Sequence, residues 1–186
     1  KFVMKAGFAN ETGVLTLDLT ATEGAEGIAT TLMGLPGAPA VDLTIKGEGP
    51  LANYAADLRL ASDGVERLVG RVTLAASPEG ATRFTADLGG DPAPLFLPEY
   101  AAFFGDDVRL QSEGTKAADG RLNLSRLTVE TQALQLNGSL QLAPDGLPER
   151  FDLTGALGID GTPVVLPLTT EQRTAVTHAD LTLGFD

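Results

Sequence analysis

The chain has 186 residues, 13 Lys and Arg against 25 Asp and Glu, a formal net charge of −12, no Cys and no Trp. That length suits one domain or a short stack of repeats; the acidic balance argues against nucleic acid, whose phosphates need clustered cations, and the missing Cys removes disulfides, thiolate metal sites and thiol nucleophiles together. With 43 % hydrophobic residues the composition is not that of a disordered chain, and no apolar run approaches the ~18 residues of a membrane span.

Period-two alternation, the mark of strands with one apolar face, begins at once with Phe2, Met4, Ala6 and Phe8. Lys1 to Lys5 shows neither an initiator Met nor a complete signal peptide, so the chain is expected to be a piece of a longer protein. Leu15, Leu17 and Leu19 form the next strand. Glu23 to Met33 interrupts the pattern: Ala25, Ile28, Ala29 and Leu32 fall at helical spacing, and Gly34 with Pro36 stops the run. The spacing predicts a short helix there, docked on the sheet by its apolar side, because so short a helix is marginal alone.

Alternation resumes with Val41, Leu43 and Ile45, then with Tyr54, Ala56, Leu58 and Leu60. After Ser62-Asp63-Gly64 come Leu68, Gly70, Val72 and Leu74, and Ser77-Pro78-Glu79-Gly80 turns the chain into Phe84, Ala86 and Leu88. Pro94 to Phe104 predicts a second short helix, with Phe96, Tyr100, Phe103 and Phe104 on one side and Gly105 at its end. Strands follow at Val108 and Leu110, at Leu122 and Leu124, and at Leu134, Leu136, Gly138, Leu140 and Leu142. Between Leu124 and Leu127 the phase slips by one, which predicts a bulge near Ser125-Arg126. The last strands are predicted at Phe151, Leu153, Gly155 and Leu157, at Val164, Leu166 and Leu168, and at Ala179, Leu181, Leu183 and Phe185. Asp-Gly pairs at 63-64, 119-120, 145-146 and 160-161 lie between such runs and read as turn formers.

These landmarks recur. Leu15 to Leu19, a helix, then Asp42 to Gly49 is matched by Phe84 to Leu88, a helix, then Asp107 to Gly114. Leu68-x-Gly70-x-Val72-x-Leu74 likewise matches Leu136-x-Gly138-x-Leu140-x-Leu142. The recurrence implies a single repeat-built β segment over 1–186, with a first repeat at about 13–80, a second at about 81–146 and trailing strands over 147–186. The expected fold is mainly β: an elongated, curved, largely antiparallel sheet, an open groove or β-taco, with a hydrophobic concave face and two short helices. Such a face closes on itself, packs a second sheet, or forms a groove. With 5 % aromatic residues and no Trp, the chain lacks the girdles of an outer-membrane barrel.

The strand order, the Gly34-Leu35-Pro36-Gly37 helix end, Gly47-Glu48-Gly49-Pro50-Leu51, Leu68-x-Gly70-x-Val72-x-Leu74 and Pro92-x-Pro94-Leu95-Phe96-Leu97-Pro98-x-Tyr100 resemble the TamB family over nearly the whole chain. TamB is the translocation and assembly module protein of Gram-negative bacteria, related to the AsmA-like bridge lipid-transfer proteins. The resemblance implies a periplasmic segment of an inner-membrane-anchored protein, a TamA-like outer-membrane partner engaged through the full-length chain, and phospholipid as cargo. On that reading the groove is lined by Leu58, Leu60, Leu68, Val72, Leu74, Leu134, Leu136, Leu140, Leu142, Leu153 and Leu157. An alternative is an assembly scaffold that pairs the β-strands of outer-membrane or autotransporter clients at a sheet edge.

Catalysis is not expected, and neither a cofactor nor a metal is called for. His178 is the only His, which leaves no two-His metal site, and it shares its phase with Asp180 and Thr182 as an exposed structural residue. No Gly-x-Ser-x-Gly elbow or phosphate loop occurs. Asp106-Asp107 reads as a solvated loop rather than an acid-base pair. Gly70, Gly138 and Gly155 relieve bending in a curved sheet or leave room for an acyl chain.

Overall fold

The computed structural model describes all residues except 12, 33, 78–79, 169–172 and 186. The chain is mainly β, as the alternation requires. The strands in chain order are β1 (Phe2–Ala9), β2 (Val14–Glu23), β3 (Val41–Pro50), β4 (Tyr54–Ser62), β5 (Val65–Ala76), β6 (Thr82–Gly90) and β7 (Val108–Lys116). They continue with β8 (Leu122–Glu130), β9 (Leu134–Leu142), β10 (Pro148–Leu157), β11 (Val164–Val165), β12 (Ala175–Val176) and β13 (Ala179–Phe185). Eleven of them make one antiparallel sheet, running from β1 to β10 in order and ending on β13. The sheet is not closed. β11 and β12 pair separately.

Turns fall where the Asp-Gly pairs place them. Asp63 and Gly64 both take positive φ, +50° and +77°, as a two-residue hairpin turn matching strand twist demands. The Asp119 and Asp145 carboxylates each accept the backbone N–H two residues on, at 3.0 Å. Pro78 and Glu79 lie outside the described residues; around them Ser77 N–H donates to Ala81 O at 2.7 Å. The bulge expected near Ser125-Arg126 is present: the register between β8 and β9 jumps from Leu124 to Leu127, which returns Leu127 and Val129 to the apolar face.

Three longer insertions interrupt the meander. The first carries α1 (Ile28–Leu32) between β2 and β3. The second carries 3-10 turns at Ala93–Leu95 and Pro98–Tyr100, then α2 (Ala101–Phe104), between β6 and β7. The third carries the β11–β12 ribbon between β10 and β13. β2, β6 and β10 stand four places apart in an antiparallel sheet, so they run the same way and all three insertions leave from one rim.

Three expectations need correction. The helix predicted over Glu23 to Met33 is a single turn: Glu23 belongs to β2, Glu26 adopts φ +58°, and Met33 lies outside the described residues. Nor does it dock by its apolar side, since Ile28 and Leu32 are 77 % and 82 % exposed while Thr30 is fully buried. Glu23 Oε2 accepts the Thr30 N–H at 3.0 Å and so turns the polar position inward. Val164 to Leu168 does not join the main sheet either. Only Val164–Val165 is extended, because β10 already pairs with β13 and Pro163 and Pro167 flank the segment.

The glycines reveal which way the sheet bends. Gly70, Gly114, Gly138 and Gly155 share the apolar phase, and a Cβ on any of them would lie 1.9–2.4 Å from the carbonyl oxygen of a neighbouring strand. At Gly7 and Gly184, in the opposite phase, a Cβ would meet nothing closer than 4.0 Å. Backbones crowd together on the inside of a bend, so the apolar face is the concave one. The convex face carries a ladder of directly opposed charges: Lys5, Asp18, Lys46, Asp57, Arg71 and Asp87 on β1 to β6. Arg71 lies 3.4 Å from Asp57 and Lys46 3.9 Å from Asp18. A one-residue slip would oppose charge with apolar side chains, so the ladder holds the same register as the apolar rows.

Candidate functional site

Directly opposed residues in antiparallel strands present their side chains on the same face. The register therefore joins Met4, Leu19, Ile45, Leu58, Gly70, Leu88, Leu110, Val129, Leu136, Gly155 and Leu181 into one row that crosses all eleven strands. The eleven positions singled out from the sequence all lie on this face. Leu58 and Leu136 belong to that row, Leu60 and Leu68 oppose each other one row nearer the insertion rim, and so do Leu134 and Leu157. Val72, Leu74, Leu140, Leu142 and Leu153 lie on the rows farther from it.

All eleven are half-buried, none core and none fully exposed. Among the described residues the β11–β12 ribbon reaches two of them, Leu134 and Leu157, through Val164. The buried hydrophobic set among the described residues is small: Tyr54, Ala56, Ala61, Leu95, Phe103, Ala133 and Val164. A Leu side chain gains about 1.5–3 kcal/mol from full burial, and this face leaves part of that unrealised on every strand.

The insertions divide the face at its rim. Between α1 and α2 lies an apolar cavity of about 800 Å³, floored by Leu43, Leu60, Leu68, Leu88 and Leu110 and walled by Leu95, Phe96 and Phe104. Beyond α2 the rim is filled instead. Phe103, Ala133 and Val164 form a buried cluster, against which Leu134, Leu157, Ile159, Leu166 and Phe104 pack. Of the predicted residues, Leu60 and Leu68 line the cavity whereas Leu134 and Leu157 serve the cluster. Leu43, Leu88 and Leu110 belong to the site although sequence reasoning assigned them only to strands; their phase was visible, but not which rows the insertions enclose.

Polar groups are few on this face. Tyr54 is 4 % exposed, and its hydroxyl, packed over Gly47, finds no partner. Burial pushes its phenol above the usual 10.0. His178 is about half exposed, with Nδ1 3.2 Å from Asp160 Oδ1 and Nε2 3.5 Å from Asp180 Oδ1. Among the described residues no group of His, Cys, Asp and Glu could hold a metal ion, and no helix is long and apolar enough to cross a membrane. Comparison with known proteins finds no matching family model, no matching curated protein and no matching solved structure.

Proposed function

We propose that this chain is a TamB-like, AsmA-related periplasmic segment whose concave face carries phospholipid acyl chains and so supports outer-membrane biogenesis. The full-length protein is then anchored in the inner membrane and meets a TamA-like partner at the outer membrane. The observation that carries the reading is the aliphatic face crossing eleven strands, largely half-buried from β2 to β10 and overlain at its insertion rim by the Phe103–Ala133–Val164 cluster. Nine of its eleven named residues lie outside that cluster, and a ligand would complete their burial.

The test is Leu140→Asp, with bound lipid read by native mass spectrometry of the purified protein. Leu140 is half-buried on rows that no insertion covers. A carboxylate there keeps access to water, so the protein stays folded with a modest loss of melting temperature, and it loses phospholipid. A folded variant with wild-type lipid content removes the proposal for this face.

A second reading rests on the β1 edge, where Phe2, Met4 and Phe8 are 67 %, 57 % and 51 % exposed beside an unpaired row of backbone groups. An assembly scaffold would pair client strands there. Extended peptides that bind without displacing lipid would favour it.

A further inference from the structure

We infer that the cavity between α1 and α2 is a bounded seat for one phospholipid acyl chain, with its head end at β1–β2 and its terminal methyl against Phe96 and Phe104. The inference rests on the lipid reading above and gives that site an orientation and an end.

The lining is polarised. Its polar members lie at one end: Glu23 and Thr30, bonded to each other, come from β2 and the first insertion, and Lys1 and Thr22, in the convex phase, border the cavity at the β1–β2 edge. The side built by β6, β7 and the second insertion contributes Leu88, Pro92, Leu95, Phe96, Val108 and Leu110, with no polar side chain. An amphiphile matches that gradient in one direction only, because a head group at the aromatic end would be desolvated without partners.

The far end is a wall. Phe104 lines the cavity and also packs on the Phe103–Ala133–Val164 cluster, so it separates the two. Phe96 stacks on it with ring centroids 4.2 Å apart, and Phe103 meets it edge-on at 5.1 Å. A chain entering from β1–β2 therefore stops at this aromatic set instead of running on along the rim. The volume, about 800 Å³, falls within the range of roughly 300–1,000 Å³ typical of sites for one small ligand.

Because the chain contains no Trp, single introduced tryptophans report without background. Phe2→Trp marks the polar end, Phe96→Trp the wall, and Phe185→Trp the apolar face at the opposite edge of the sheet. All three replace aromatic rings that are at least 40 % exposed, so folding is preserved. The probe is a lysophosphatidylcholine brominated at the acyl terminus, and the readout is loss of emission. The expected result is strong quenching of Phe96→Trp with little change in Phe2→Trp and Phe185→Trp. Equal quenching of Phe96→Trp and Phe2→Trp overturns the orientation, and equal quenching of Phe96→Trp and Phe185→Trp overturns the boundary. Quenching of none of the three, with no lipid retained by the wild type, removes the underlying lipid reading instead.

Discussion

The strands β1 to β7 and the strands β8 to β13 carry the same alternation and bend the same way, yet the rim of the first group encloses a cavity and that of the second a packed cluster. The insertions make the difference. In the first, a one-turn helix is tied to β2 through Glu23 and Thr30 and leaves Ile28 and Leu32 in solvent, so it encloses space without filling it. In the second and third, Phe103 and Val164 enter from α2 and β11 and meet Ala133. Ala133 N–H donates to Phe103 O at 3.1 Å, and Gly158 N–H to Ala133 O at 2.7 Å, which fixes the cluster to the backbone of both insertions. A repeating strand pattern thus sets up a uniform apolar trough, and what hangs from its rim decides where the trough is left open and where it is filled.

The largest expected effect breaks the filled region. Val164 is 0 % exposed, so Val164→Asp buries a carboxylate among Phe103, Ala133 and Ile159 with no partner; it should cost about 3–5 kcal/mol and leave little folded protein. Leu88→Asp, facing the cavity, loses part of the transfer energy of a half-buried Leu, about 1–2 kcal/mol, and should stay folded. Denaturant midpoints of the two variants measure the contrast. Similar losses would mean that both regions are closed core.

The second prediction concerns the curvature that the two regions share. Gly138→Ala places a methyl 1.9 Å from Asp152 O, and Gly70→Ala places one 2.4 Å from Asp87 O. Each must push strands apart and should cost about 1–3 kcal/mol, as overpacking does. Gly7→Ala meets nothing within 4 Å and should remain within about 0.5 kcal/mol of the parent. A tolerated Gly138→Ala with a costly Gly70→Ala would confine the bend to the first region.

Much of the fold was legible because strand periodicity is local. Leu124 and Leu127 alone announced the bulge, and the Asp-Gly pairs marked the turns. Glycines in the apolar phase raised two readings, bending or room for a ligand, and neighbouring carbonyls at about 2 Å from a built Cβ favour bending. What could not be read was tertiary. Ile28 and Leu32 sit at helical spacing, but their burial depends on whether Glu23 draws Thr30 inward. Val164 to Leu168 alternates like a strand, but β13 takes its place beside β10. Leu134 and Leu157 look identical to Leu60 and Leu68 in sequence, and only the insertion above them decides between cluster and cavity.

The smallest expected effect belongs to Tyr54, the most buried aromatic residue of the first region. Its hydroxyl is cut off from water and has no hydrogen-bond partner, while its ring fills the space over Gly47. Tyr54→Phe keeps the ring and removes an unsatisfied polar group, so it should be neutral or raise stability by up to about 1 kcal/mol. The phenol's raised pKa gives the same point a pH signature. Below 10.0 both folded and unfolded chains hold the proton and the shift contributes nothing. As pH rises through 10.0 the unfolded phenol ionises first, so the folded state loses stability until its own, higher pKa is reached. Tyr54→Phe should therefore flatten the alkaline decline in melting temperature relative to the parent. An unchanged alkaline limb would mean that burial does not shift this phenol, and a variant less stable than the parent by more than about 1 kcal/mol would mean that the hydroxyl is hydrogen-bonded in the folded protein and that polar contacts reach deeper into this region than its apolar lining implies.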